Sequence, residues 1–170
     1  PGGSFTLDRV PLLFNSDLAI SMARPDRTDD FFFRNGQGDE ILYMSDGEGV
    51  LESLLGELPY RRGDYVVIPR GITYRLRPAG PNRILVIESA GFVETPKRYR
   101  GDYGQHLEHS PFCERDFRVP ETLPLHDETG EFRVLVKHEN RITEQILGHH
   151  PFDVVGWDGT VWPWAFPILN

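Results

Sequence analysis

The chain has 170 residues, enough for one domain with a sizeable core. Its formal net charge of −8 argues against general nucleic-acid binding, which requires a basic surface. Cys113 is the single cysteine, which excludes an intrachain disulfide and favours a reducing, cytoplasmic compartment. We find no apolar run long enough to span a membrane.

Short apolar runs separated by glycine and proline predict an all-β fold, because each run has the length and alternation of a strand. In the first half of the chain these runs are "LLFN", "LAISMA", "DDFFFRN", "EILYMSDGEGVLES", "DYVVIP", "TYRLRP" and "RILVIESAG". The segments "DGEG" (46–49) and "RRGD" (61–64) are turn signals between them. We assign residues 5–94 to a first β-sandwich.

The chain changes character after this sandwich. Residues 95–131 are polar and rich in proline, and we interpret them as a connector, since a loop of this length is usually functional or wraps a neighbour. Residues 132–170 contain the runs "FRVLVKHE", "ITEQILG" and "DVVGW" and an aromatic end, and predict a second, short β portion packed on the first. The apolar ending "VWPWAFPILN" leads us to expect that the natural polypeptide continues past Asn170 and that residues 153–170 form the seam to a missing domain.

The stretch "GDYVVIPRGITY" has the spacing of a metal-binding hairpin of cupin barrels: Gly, five residues, Pro, one residue, Gly, two residues, His. Gly63, Pro69 and Gly71 occupy the turn-forming positions, but Tyr74 stands where the pattern has its histidine. We interpret Tyr74 as a half-buried core aromatic.

A cupin's other metal-binding hairpin carries two histidines shortly before a glutamate. Glu40 is the candidate glutamate, but the preceding positions 33–36 read Phe, Arg, Asn and Gly. A divalent metal needs three or four N or O donors, and one carboxylate cannot hold it. The sequence therefore predicts a metal-free cupin jelly roll, also called a double-stranded β-helix.

Other candidate residues are histidines and the cysteine. His106 and His109, in "HLEH", have a spacing that could hold a metal, although loop histidines are more often solvated. His149 and His150 precede a proline at the edge of a strand, and packing or capping is the favoured interpretation over ligation. Cys113 has no activating base near it in the sequence, so we interpret it as a packed thiol.

Three segments together resemble the homogentisate 1,2-dioxygenase family: "DDFFFRNGQGDEILYMSDGEGVLESLLGELPYRRGDYVVIPRGITYRLRP", "HSPFCERDFRVP" and "HHPFDVVGWDGTVWPWAFPILN". The resemblance covers nearly the whole chain in the same order. It implies a bicupin more than twice as long, whose N-terminal cupin is metal-free and whose C-terminal cupin holds Fe(II). It also implies oxidative cleavage of homogentisate by O₂ to maleylacetoacetate, in tyrosine and phenylalanine catabolism.

The resemblance implies that the iron ligands lie after the "PWAF" segment, so none is assigned here and the chain alone is expected to be inactive. In a homotrimer or hexamer of this family, a loop matching residues 103–111 approaches a neighbour's active site, which makes Gln105, His106 and His109 candidate substrate contacts. Two alternatives stay open. One is a stand-alone, metal-free cupin that acts as a binding or interaction module. The other is a cupin enzyme with unusual ligands from Glu40 and the loop histidines.

Overall fold

A computed structural model describes residues 2–153 and 161–169. Within these ranges the chain forms twelve strands and two short 3-10 helices, Lys97–Tyr99 and Glu114–Asp116. The strands are β1 (Val10–Phe14), β2 (Leu18–Ala23), β3 (Phe32–Asn35), β4 (Asp39–Asp46), β5 (Gly49–Ser53), β6 (Gly56–Tyr60), β7 (Asp64–Ile68), β8 (Thr73–Pro78), β9 (Arg83–Ser89), β10 (Thr129–His138), β11 (Arg141–His149) and β12 (Trp164–Pro167). None of the helices described has the length and apolarity needed to cross a bilayer.

The strands form two sheets of six. Sheet 1 has the order β1-β2-β9-β4-β7-β12, and sheet 2 has the order β11-β10-β3-β8-β5-β6. The main hydrophobic core lies between the sheets and contains residues from both, including Leu42, Val66 and Val86 from sheet 1 and Leu51 and Leu76 from sheet 2. The predicted all-β, cupin-type jelly roll is confirmed, as a two-sheet sandwich whose described strands do not close into a barrel.

Both sheets contain strands from before residue 94 and from after residue 128. Strand β10 pairs in parallel with β3, and β11 continues the same sheet beyond it. Strand β12 pairs antiparallel with β7 in sheet 1. The late strands are therefore part of the two sheets that the early strands begin. Most of the predicted "DVVGW" strand lies outside the described residues.

Around β3, sheet 2 is covered by apolar side chains on both faces, which explains three consecutive phenylalanines. Phe31 and Phe33 belong to the core between the sheets, whereas Phe32 points to the other side. There it packs with Val134 and Phe152 in a second buried cluster. An apolar run without alternation is the expected pattern for a strand that is covered on both faces.

Strand β6 was not predicted, because Pro59 interrupts its apolar pattern. Proline cannot donate to a β-ladder and is tolerated mainly on edge strands. Strand β6 is the edge strand of sheet 2, where Pro59 pairs with Val50 on β5. Because β6 lies at the edge of the sheet, Pro59 is compatible with a strand there.

Candidate functional site: a cupin interior closed by an arginine

The cupin hairpin has the geometry that its glycines predict. Strand β7 runs from Asp64 to Ile68 and β8 begins at Thr73. Gly63 and Gly71 have φ angles of +89° and +84°, in the left-handed region that glycine adopts without steric cost. The backbone of a metal-binding hairpin is therefore present, and it places Tyr74 at the histidine position.

The interior holds a hydrogen-bonded triad of Arg9, Glu40 and Tyr74. Glu40 lies on β4 in sheet 1 and is fully buried. Its Oε1 accepts a hydrogen bond from Arg9 Nη1 at 2.5 Å, and its Oε2 accepts one from the Tyr74 hydroxyl at 2.5 Å. A third bond, 3.3 Å long, joins Arg9 Nη2 to the Tyr74 hydroxyl oxygen. Because Tyr74 lies on β8, the triad links the two sheets.

Aromatic rings enclose the arginine. The Arg9 guanidinium lies 4.4 Å from the centre of the Phe5 ring and 5.5 Å from that of Phe33. Its Nε donates to the Phe5 carbonyl oxygen at 3.1 Å. A cation over aromatic faces is stabilised more strongly when it is desolvated. The segment before β1 therefore delivers a positive charge into the core and packs around it.

Tyr74 is more buried than the sequence suggested. We expected a half-buried aromatic, but its exposed fraction is 1%. Its ring meets the Phe33 ring edge to face, with centroids 5.8 Å apart. Burial, and next the negative charge of Glu40, raise the pKa of the Tyr74 hydroxyl well above its ordinary value, so it remains a donor at neutral pH. Burial lowers the pKa of Arg9, but the charges and hydrogen bonds of Glu40 and Tyr74 together outweigh burial, so that pKa is raised overall.

A metal does not fit this triad. Both carboxylate oxygens of Glu40 already accept strong hydrogen bonds, and the guanidinium supplies the positive charge that a metal would bring. Arg9 carries that charge permanently, whereas a metal site would need two or three further neutral or anionic donors. The candidate positions Glu40 and Tyr74 therefore hold the sandwich together instead of binding Fe(II).

A second arginine ties the motif's turn to the neighbouring strands. Arg70, the residue between Pro69 and Gly71, donates its Nε to Asp39 Oδ1 at 3.0 Å. Its Nη2 donates to the carbonyl oxygens of Ala90 and Gly91 at 3.0 and 2.9 Å. The turn that faces a metal in a metal-binding cupin is thus fixed by protein contacts.

The three predicted substrate contacts lie together in the connector but in different environments. Gln105 is exposed. The side chain of His106 is 13% exposed, its Nε2 lies 3.2 Å from Thr95 Oγ1, and its ring packs against Phe112. His109 is exposed at the surface, and its Nε2 lies 2.9 Å from the Arg98 carbonyl oxygen, to which it donates. Glu40 is engaged inside the sandwich, so these connector histidines do not complete a site with it.

A histidine cluster that was not predicted lies on the outer side of sheet 2. The imidazole rings of His126 and His150 stack in parallel, 3.9 Å apart and at 4° to each other. His126 Nδ1 is 3.4 Å from a carboxylate oxygen of Glu128. Buried His150 accepts a hydrogen bond at Nδ1 from the backbone N–H of Phe152, 3.1 Å long. The pairing of His126 with His150 joins residues 24 positions apart, which no local pattern indicates.

Two histidines and a glutamate have the composition of a metal site, but their orientation does not suit one. A metal binds in the plane of an imidazole, along the lone pair of its nitrogen. Two parallel planes 3.9 Å apart share no such point, and Nδ1 of His150 is already capped by Phe152. The arrangement instead supports packing. Burial, and next the charge of His126, lower the pKa of His150 below its ordinary 6.5, so the ring is neutral at pH 7.

Comparison with known proteins identifies the family. The family model described as homogentisate 1,2-dioxygenase N-terminal matches residues 14–168, which include the triad's Glu40 and Tyr74 and the whole connector. The chain belongs to this family. The match confirms the resemblance inferred from the sequence.

Two curated relatives from the homogentisate 1,2-dioxygenase comparison are longer than this chain. A protein named as a dioxygenase from Saccharolobus solfataricus is 42% identical over 165 residues, which are 96% of this chain and 42% of that protein. Homogentisate 1,2-dioxygenase of Emericella nidulans is 31% identical over 145 residues, 80% of this chain and 30% of the enzyme. A cupin protein from Bacteroides fragilis superposes with a TM-score of 0.45 at 21% identity, over 59% of this chain and 93% of that one. The chain thus spans less than half the length of the Saccharolobus and Emericella proteins.

Proposed function

We propose that this chain is the metal-free N-terminal cupin of a homogentisate 1,2-dioxygenase-type enzyme, which opens the aromatic ring of homogentisate with O₂ to give maleylacetoacetate in tyrosine and phenylalanine catabolism. The observation that carries the proposal is the triad, in which Arg9 takes the place of a metal beside Glu40. A cupin with this interior supports an oxygenase as a scaffold. The site of chemistry then lies outside residues 1–170.

In the proposed enzyme, Fe(II) held by the other part of the polypeptide supplies O₂ activation and binds the hydroquinone-type substrate. The role of this chain is structural support and one wall of a site. The single cysteine agrees with a cytoplasmic enzyme. In a homo-oligomer, a trimer or hexamer, the exposed loop at residues 103–111 would approach the neighbouring subunit's substrate.

Within that loop the structure favours Gln105 and His109 over His106. Gln105 and His109 are exposed, whereas the ring of His106 packs against Phe112 and Phe117. Gln105→Ala and His109→Ala in the full-length enzyme should raise KM for homogentisate or lower kcat. Leu125→Ala, an exposed connector position outside the loop, is the control. Unchanged KM and kcat in both loop variants would exclude these residues as substrate contacts.

The function is tested by metal content and O₂ uptake. After anaerobic loading with Fe(II) and desalting, the 170-residue chain should retain near-zero iron and consume no O₂ with homogentisate. The full-length enzyme should retain about one iron per chain and form a ring-cleaved product. Stoichiometric iron in the 170-residue chain would overturn the scaffold role. A full-length protein that binds iron but leaves homogentisate intact would overturn the proposed substrate.

A further inference from the structure

The outer face of sheet 1, which points away from the core, carries two continuous rows of apolar side chains. Residues that pair directly across strands point to the same side of a sheet. From β1 to β12 the first row is Leu13, Ile20, Ile87, Ile41, Val67 and Trp164. The second row is Val10, Met22, Leu85, Tyr43, Tyr65 and Phe166. Each of the six strands contributes one member to each row, and no charged residue interrupts either.

The connector covers one end of this face. The Phe117 ring lies 5.2 Å from that of Trp164 and 5.3 Å from that of Phe166, and Phe112 lies 6.1 Å from Phe166. Val67, beside Trp164, is consequently only 2% exposed. The chain thus already uses the β7–β12 end of the face to seat a segment of itself.

The other end of the face is open. Val10 is 59% exposed and Leu13 is 67% exposed. Ile20, Tyr43 and their neighbours in the rows belong to neither of the buried hydrophobic clusters found among the described residues. We call this region, the parts of both rows on β1, β2, β9 and β4, the open apolar face.

An antiparallel sheet with one face toward water normally alternates apolar and polar side chains, with the polar ones outside. The open apolar face breaks this rule on four adjacent strands. Contiguous apolar surface of this kind marks a contact surface, and the absence of charge from both rows is typical of the core of a permanent interface.

We propose that the open apolar face seats the iron-binding part of the same polypeptide in the longer dioxygenase. This inference rests on the proposed function. The relatives have more than half of their length outside the region that matches this chain, so a second body of polypeptide has to pack somewhere. Strand β12 contributes to both rows and is separated by β7 alone from β4, the nearest strand of the open apolar face.

A second copy of the chain is a poorer occupant on electrostatic grounds. Each copy carries a net charge of −8, and two identical faces would bring these like charges together. A different body can supply a complementary rim. The open apolar face therefore serves as a seat within one polypeptide.

Hydroxyl-radical footprinting tests the proposal, because methionine and tyrosine side chains on the face report their own exposure. Met22 and Tyr43 should be oxidised several-fold more slowly in the full-length enzyme than in the 170-residue chain. Tyr103 in the connector, 90% exposed, is a reference for reagent dose in the 170-residue chain. Equal oxidation of Met22 and Tyr43 in the two proteins overturns the inference, as does protection that disappears when the enzyme is diluted to monomers.

A substitution adds a second criterion. Ile20→Lys should leave the unfolding midpoint of the 170-residue chain nearly unchanged but restore rapid oxidation of Tyr43 in the full-length enzyme. Leu125→Lys, at a position 87% exposed outside the face, should restore nothing. Continued protection of Tyr43 in the Ile20→Lys enzyme counts against the inference. If the full-length enzyme protects Met22 and Tyr43 but does not cleave homogentisate, the proposed function fails and the inference about the open apolar face stands. If it cleaves homogentisate but does not protect these two residues, the proposed function stands and the inference fails.

Discussion

Replacing Arg9 with methionine should destabilise the chain strongly, because it leaves Glu40 charged and unpaired in the core. Methionine retains the length and apolar contacts of the arginine stem but has no guanidinium. Glu40 is fully buried and the Arg9 side chain is 14% exposed, so solvent screens the pair little. Removing one partner of a buried ion pair costs about 3–5 kcal/mol. Tyr74 continues to donate to Glu40, so we expect a loss near the lower limit, about 3 kcal/mol.

Urea and thermal unfolding of the 170-residue chain measure this loss. For a domain of this size, 1 kcal/mol shifts the melting temperature by about 2–4 °C, so Arg9→Met should lower it by roughly 6–12 °C. Arg9→Lys retains the charge but cannot contact Glu40 and Tyr74 with a planar fork. Arg9→Lys should lower the free energy of unfolding by less than Arg9→Met does, and the same unfolding experiments measure the difference.

The double variant Arg9→Met, Glu40→Gln decides whether charge is the cause. It contains no buried charge in the triad, and the amide oxygen that replaces the carboxylate can still accept from Tyr74. It should be more stable than Arg9→Met alone, since the penalty arises from the unpaired carboxylate. If the two single losses simply add, or if Arg9→Met unfolds within about 1 kcal/mol of the wild type, then the reasoning about the triad is wrong.

Three further predictions concern the connector, a turn and the histidine stack. Arg118→Ala should loosen the attachment of the connector to the sandwich, because Arg118 pairs with Asp64, whose side chain is 1% exposed. Limited proteolysis should then cut residues 95–118 faster than in the wild type, and an unchanged rate of cutting would contradict this prediction. Gly71→Ala should cost about 1–2 kcal/mol, since its φ is +84° with free space around it, whereas Gly80→Ala, with equal space, should be nearly neutral in the same denaturant unfolding measurement. The free energy of unfolding should fall as the pH drops below 6.5, because the pKa of His150 is lower in the folded state than in the unfolded state, so the unfolded state binds more protons. His150→Phe should flatten this part of the curve of stability against pH. A curve of unchanged slope would contradict the prediction.

Local patterns in the sequence predicted most of the strands and the turns that join them. The spacing from Gly63 to Tyr74 predicted the cupin hairpin, because it depends on turn glycines and a proline within twelve residues. The same spacing showed that a ligand was missing. Strand β6 escaped prediction, since the sequence does not show that Pro59 lies at a sheet edge.

The partner of Glu40 could not be predicted from local patterns. Arg9 is 31 residues from Glu40 and 65 residues from Tyr74, and the contact exists only once both sheets have formed. One signal was available: a glutamate on an inward-facing strand position without metal ligands requires a cation nearby. That rule calls for a buried arginine or lysine but does not say which one. Similarly, the stack of His126 on His150 follows from tertiary packing, and each histidine looks ordinary in its own segment.

The parallel pairing of β3 with β10 has a consequence for synthesis on the ribosome. Strand β3 has a lasting neighbour on one side from β8, but its other neighbour begins at Thr129, almost one hundred residues later. Until β10 emerges, Phe32 lacks the contacts that Val134 and Phe152 make with it, and one backbone edge of β3 is unpaired. Such late, long-range pairing slows folding and leaves unpaired, aggregation-prone strand edges in the nascent chain. A truncation before β10 should therefore aggregate instead of giving a smaller stable sandwich.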